Sequence, residues 1–247
     1  MNPVPWRLIP PLALSGAMQM ALDHWLLSQH RQGHQPPSLR FYTWDPPALS
    51  LGYHQQRWPS TWRSLTAPGQ SLDLVRRPSG GRAVLHQGDL TYGLVTSGLG
   101  VGRSAAYGHL CQFLIQGWAN LGIPLHYGQP HRDYGRNPHC FATATEADLL
   151  LEDGTKFIGS AQLWQGDAVL QHGSLALGLG GAPSLFRPVF GQPWPVSSCR
   201  DRAQAWGQDV IIASLTTAAS QVFGITLLPQ PLTATEWGAI DPGPWQL

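Results

Sequence analysis

Apolar and polar positions alternate along two stretches of this chain, Leu72–Val95 (LDLVRRPSGGRAVLHQGDLTYGLV) and Asp148–Leu177 (DLLLEDGTKFIGSAQLWQGDAVLQHGSLAL). Each divides into apolar runs of about five to seven residues separated by Gly-containing turns, the pattern of a three-strand meander. In the first, Leu72–Arg76 and Arg82–His86 flank PSGG, and QGD leads into Leu90–Val95. In the second, EDGT and QGD punctuate in the same way. Two further strands, Ser38–Tyr42 and Ala48–Tyr53, are predicted around WDPP, whose prolines make a turn.

Helical periodicity marks three other segments. Ser15 is placed to cap a helix running to about Gln29, with Met18, Leu22, Trp25 and Leu26 on its apolar face. A second helix is predicted from an N-cap at Ser104 to Asn120, burying Ala106, Leu110, Phe113, Leu114, Gly117, Trp118 and Leu121. Cys111 falls at the edge of that stripe and reads as a small buried hydrophobe. The third is Asp201–Phe223, with Trp206, Val210, Ile211, Leu215, Ala218 and Val222 inward and Gly224 just past its end. Between these elements, Arg31–Ser38 and Trp58–Gln70 are irregular, and Ile123–Cys140 holds a long loop, GQPHRDYGRNPHC. Gly178–Ser198 is a Gly- and Pro-rich surface segment with a helical turn near Leu185, and Pro229–Leu247 is a tail lying along the surface. These elements compose one α+β domain over residues 1–247, with its core at 6–223: mixed or antiparallel sheets with helices packed on them.

Composition removes several classes of function. A chain of 247 residues, 43% hydrophobic and 12% charged, builds a substantial core. A net charge of +1 gives no electrostatic case for nucleic acid or for a polybasic membrane contact. The N-terminus lacks a signal-peptide pattern, and no apolar run reaches the ~18 residues of a spanning helix, so the expected setting is the cytoplasm. Three cysteines, Cys111, Cys140 and Cys199, without paired spacing indicate neither a disulfide framework nor a metal site.

Candidate chemistry sits in the two meanders. Arg76, Arg77, Ser79, Gly80, Gly81 and His86 crowd one turn; adjacent glycines beside a basic pair suit a loop whose N–H groups wrap an anionic or carbonyl-bearing ligand. Lys156, Gly159, Ser160 and Ala161 crowd one strand, where glycine marks a bulge or a close backbone approach. Of the 15 basic residues, Lys156 is the only lysine. A position that keeps lysine against so strong an arginine bias needs a compact ammonium with three rotatable donors, which a planar guanidinium does not supply.

RRPSGGRAVLH, followed about seventy residues on by KFIGSAQ and then by LQHGSLAL, resembles the lipoate-protein ligase A and octanoyltransferase family, with SGAMQMALDHWLL and SLRFYTWDPPALSLGYHQ extending the likeness over Trp6–Phe223. The resemblance implies the biotinyl and lipoyl protein ligase fold, related to the class II aminoacyl-tRNA synthetase core. It implies one of two activities: ATP-dependent attachment of lipoate to a carrier lysine, or ATP-independent transfer of octanoate from acyl carrier protein through an enzyme cysteine. CF at 140–141, sixteen residues before Lys156, resembles the cysteine loop of the ligase-A-like transferases, and Arg82 stands where ligases carry a third glycine. A long side chain there opposes close approach of a nucleotide. The expected activity is therefore octanoyl transfer, with no cofactor; ATP and Mg²⁺ enter only under the ligase alternative, and a non-catalytic acyl or carrier binder is the alternative from another class.

On this likeness Cys140 is the expected nucleophile, set beside His139 and Arg136, with Cys199 as the runner-up because the other transferase branch carries its cysteine after the lysine. Lys156 would polarise the acyl carbonyl or assist proton movement, with N–H groups around Gly159, Ser160 and Ala161 stabilising an oxyanion. Arg77, Ser79, Gly80, Gly81 and Arg82 would shape the acyl pocket, and His86 and His172 stand on strands beside it, in contact with substrate or as structural groups. Leu and Val positions of both meanders would line a tunnel for an eight-carbon chain. Arg132, Asp133 and Arg136 would meet an acidic carrier. The expected partners are octanoyl-acyl carrier protein as donor and a lipoyl-domain protein as acceptor, either the glycine-cleavage H protein or a 2-oxoacid dehydrogenase E2 subunit, with the enzyme a monomer.

Overall fold

The computed structural model describes residues 4–67, 70–128 and 148–247. In chain order its labelled strands are β1 (Val4–Leu14), β2 (Ser38–Trp44), β3 (Ala48–Leu51), β4 (Asp73–Arg76), β5 (Val84–His86), β6 (Leu90–Thr96), β7 (His126–Tyr127), β8 (Asp148–Leu150), β9 (Lys156–Gln165), β10 (Ala168–Leu175) and β11 (Ile225–Pro229). The helices are α1 (Gly16–Arg31), α2 (Arg103–Asn120), α3 (Phe186–Phe190), α4 (Ser198–Gln204), α5 (Gln208–Phe223) and α6 (Ala234–Gly238). An eight-stranded mixed sheet has the order β11-β1-β2-β6-β10-β9-β8-β7, and a three-stranded sheet has the order β4-β3-β5. The expected α+β class holds.

Strand alternation sorts the large sheet into two faces. Leu39, Phe41, Leu90, Tyr92, Leu94 and Val169 join Leu110, Phe113, Leu114 and Trp118 of α2 and Ile211, Leu215 and Ala218 of α5 in the main core. On the opposite face Val95, Ala168 and Leu170 meet Ala21, Leu22, Leu26 and Leu27 of α1. Helix α1 is also covered on its other side, where Ala17 and Met20 pack on Val75 of the small sheet. A helix held between two sheets buries a wide arc, so Met20, Ala21 and Leu27 are buried while Met18 and Trp25, expected inside, are only partly so. Ser15 caps α1 as expected, its hydroxyl accepting from the Met18 N–H.

Four expectations change. The second meander is real: β8, β9 and β10 pair antiparallel in sequence order. The first is not. β4 and β5 flank β3 in the small sheet, whereas β6 lies between β2 and β10 in the large one, so the PSGG segment joins strands that do not pair with each other. Strand β1 was not expected at all; its Pro10 and Pro11 fall where the register with β2 shifts between Ile9 and Leu12, which keeps proline out of the ladder. The last helix is two, broken before Gly207, which caps α5; Trp206 and Val210 are exposed rather than inward. The tail does more than lie on the surface. It buries Ile240, and Gln246 bridges to Val75 of β4.

Candidate active site

The two sheets converge on one cavity, of about 100 Å³, beneath the PSGG turn. Arg77, Gly81, His86, Lys156, Gly159, Ser160, Ala161 and His172, all singled out from the sequence, line it. Cys140 lies outside the described residues, as do Arg132, Asp133, Arg136 and His139.

Lys156 opens β9 and is buried, its Nζ 2.8 Å from Oδ1 of Asp148 on the neighbouring β8. The register between Leu149 and Leu150 shifts at that end of the ladder, which brings the two side chains together across a hairpin only a few residues long. The lone lysine is thus a buried member of an ion pair and not a surface cation. No motif or spacing in the sequence marks Asp148 as its partner.

Arg77 braces the turn more than it offers itself to a ligand. Its guanidinium donates to the carbonyls of Ser50 (2.9 Å), Gly80 (3.0 Å) and Arg82 (2.6 Å). Gly81 adopts φ 98°, a region suited to glycine, and a Cβ on the facing Gly52 would sit 1.9 Å from the Gly81 carbonyl oxygen. The turn is thus held by a buried arginine and by a close approach of two backbones. Arg82 supplies a carbonyl to that bracing.

Two histidines stand in hydrogen-bonded chains on the same side of the large sheet. His86 donates from Nδ1 to Asp89 (2.7 Å), and Ser50 donates to its Nε2 (2.8 Å). Asp89 also accepts from Ser174 (2.6 Å), and the Trp44 indole stacks on the His86 ring with centroids 3.8 Å apart. Burial pushes the His86 imidazole below its ordinary value, against the pull of Asp89. His172 donates from Nδ1 to Asp23 (2.7 Å), and its Nε2 lies 2.5 Å from the Ser79 hydroxyl. Asp23 comes from α1, and also accepts from Tyr42 (2.9 Å) and pairs with Arg40 (3.2 Å). Burial alone would raise the Asp23 carboxyl; Arg40 first, then His172 and Tyr42, outweigh it and hold it below the ordinary value.

The sheet register explains this cluster. Ala161, His172, Gly93 and Arg40 stand in one row across β9, β10, β6 and β2, so one face of that row meets α1 at Asp23. A Cβ on Gly93 would lie 2.8 Å from Asp23 Oδ1 and 3.4 Å from Arg40 Cγ, so glycine at this place makes room for the carboxylate. The sequence carried a faint signal of it: Asp23 is a charge on a helix face of Met20, Leu22, Leu26 and Leu27, and Arg40 and Tyr42 alternate with Leu39 and Phe41 along their strand.

The apolar wall differs from the expected tunnel of leucines and valines. Met20, Tyr42, Trp44 and Val84 supply it, and of the meander Leu and Val positions only Val84 takes part; most of the others pack in the cores. Of the described cysteines, Cys111 is fully buried against Gln171, and burial raises its thiol to about 12, so it is no nucleophile. Cys199, near the start of α4, is partly buried against the main core and does not line the cavity. Among the described residues no group of His, Cys, Asp and Glu is placed to hold a metal ion, and no helix is long and apolar enough to cross a membrane.

Comparison with known proteins places this geometry in a family. The model of the lipoyl protein ligase A/B catalytic domain matches residues 15–190. The octanoyltransferase LipM of Kyrpidia tusciae is 37% identical over 186 residues, covering 70% of this chain and 66% of that protein. The octanoyltransferase LipM of Moorella thermoacetica is 34% identical over 260 residues, covering 95% and 92% respectively. A T. acidophilum protein solved with bound lipoic acid superimposes with a TM-score of 0.75 at 19% identity, covering 96% of this chain and 92% of that one, and so shares the fold. With its matched span and its likeness to the Moorella protein over 95% of this chain, the chain belongs to the lipoyl protein ligase A/B catalytic-domain family.

Proposed function

We propose that this chain is an acyltransferase that moves an octanoyl group from acyl carrier protein, through a thioester on Cys140, to a lysine of a lipoyl-carrier protein. Relatives named octanoyltransferase support the reaction, and the observation that carries it to a site is the buried Lys156–Asp148 pair at the floor of a cavity walled by Met20, Tyr42, Trp44 and Val84. An acyl chain gains about 0.8 kcal/mol for each methylene it buries, and such a wall supplies that gain. The carbonyl at its head then meets Lys156, whose ammonium donates to the oxygen as negative charge develops there. Backbone N–H groups near Gly159–Ala161 add to that stabilisation. Arg77 holds the Ser79–Gly81 turn that closes the cavity. A thiolate exchanges one thioester for another at a modest barrier and releases the first protein partner before the second docks.

The test is to incubate the pure chain with octanoyl-acyl carrier protein alone, then with the glycine-cleavage H protein or an E2 lipoyl domain, each with and without ATP. The expected result is one octanoyl group on the enzyme, mapping to Cys140 and absent from Cys140→Ala, followed by transfer that needs no nucleotide. A label on Cys199 would move the chemistry to the other cysteine. Lipoylation that requires free lipoate, Mg²⁺ and ATP would replace transfer with ligation.

A further inference from the structure

Two members of the Ser79–His172–Asp23 chain line different spaces. His172 lines the inner cavity beside Lys156. Ser79 lines a separate outer groove of about 520 Å³, together with His24, Tyr53, His54, Arg103, Trp164 and Trp245. Ser79 is 1% exposed, and its hydroxyl, 2.5 Å from His172 Nε2, links a residue of the outer groove to one of the inner cavity. With Nδ1 donating to Asp23 at 2.7 Å, the neutral imidazole presents a bare Nε2 to that hydroxyl. Tyr42 and Arg40 fix Asp23 in turn. This is the serine–histidine–aspartate order that moves a proton away from an attacking group.

We propose that Ser79, His172 and Asp23 form a proton relay serving the acceptor lysine, whose amine arrives through the outer groove. The assignment rests on the transfer reading above. As the amine nitrogen attacks the thioester carbonyl, a C–N bond forms and the C–S bond breaks, and the nitrogen must lose a proton. Ser79 Oγ accepts it while its own proton passes to His172 Nε2, and Asp23 stabilises the imidazolium. The released thiolate takes that proton up and returns His172 to its neutral form. The other candidates along the cavity are committed elsewhere. Lys156, ion-paired with Asp148, offers donors only, and Ser50, His86 and Asp89, though in the same order, have a serine whose hydroxyl also accepts from Arg77 and which lines the inner cavity but not the outer groove. Among the described residues, the lining of the outer groove contains Arg103 and no carboxylate, which disfavours an ammonium and assists loss of its proton.

The two half-reactions separate the relay from a merely structural role. The octanoyl-enzyme is made from octanoyl-acyl carrier protein, isolated, and mixed either with a lipoyl domain or with hydroxylamine, a weakly basic nucleophile that arrives already unprotonated. For Ser79→Ala, circular dichroism should show an intact fold, and transfer to the lipoyl domain should fall about 10²-fold relative to release by hydroxylamine. Ser79→Thr, which keeps the hydroxyl, should recover most of that ratio, and Asp23→Asn should lower it in the same direction. An unchanged ratio in Ser79→Ala would overturn the relay, because a structural defect slows both nucleophiles alike. If the parent chain forms no octanoyl-enzyme at all, the transfer reading fails and takes the relay with it.

Discussion

Replacing Asp148 by Asn removes one charge of a pair whose side chains are 5% and 4% exposed and leaves the Lys156 ammonium facing an amide. At 2.8 Å and an effective dielectric near 20 the attraction is about 6 kcal/mol before desolvation. Breaking a buried pair from one side typically costs about 3–5 kcal/mol. The cavity on one side of Lys156 admits solvent, which places the expectation at the lower end, about 3 kcal/mol. In urea unfolding with an m-value of about 3 kcal/mol/M, the midpoint should fall by about 1 M. Lys156→Met combined with Asp148→Leu, which removes both charges, should regain most of that loss while remaining inactive, because an apolar pair of similar volume tolerates the site. Activity and stability would thereby separate. A loss below about 1 kcal/mol in Asp148→Asn, or a double variant no more stable than the single one, would refute the assignment of a desolvated pair.

Other expectations follow from the same geometry. Lys156→Arg keeps the charge but replaces a compact ammonium with a planar fork, and steady-state octanoylation should fall by about 10²-fold with the circular dichroism spectrum unchanged; activity within a few-fold of the parent would return Lys156 to a passive role. Gly52→Ala places a Cβ 1.9 Å from the Gly81 oxygen, so the turn must move by about 1 Å, and turnover should fall about 10²-fold in an otherwise folded chain. Arg7 holds the Glu236 carboxyl down from 4.5 to about 2. Because the folded value is the lower one, its stabilisation is complete above about pH 4.5 and is lost as pH falls through about 2; at most about 3 kcal/mol of pH dependence in that window should vanish in Glu236→Gln, as read by denaturation at pH 5, 3 and 2.

Local order was written in the sequence. The Ser15 cap, the α2 stripe and the β8–β10 meander depend on periods of 3.6 and 2 and on turns a few residues long, such as those at Gly154 and Gly166 with φ 77° and 69°. The lone lysine and the PSGG turn were legible too, because an unusual residue stands out against its own chain. What only the tertiary structure decided was partnership. Nothing near PSGG indicates that β4 and β5 pair with β3 while β6 joins the other sheet, since apolar alternation fixes which face a strand buries and not which strand lies beside it. Nor does any spacing connect Asp23 with His172, 149 residues apart, or mark Ser79 as the link between residues of two spaces. Those contacts arise because α1 is pressed between the two sheets and Gly93 leaves room for a carboxylate, and a buried charge gains its meaning only from the neighbours that folding brings to it.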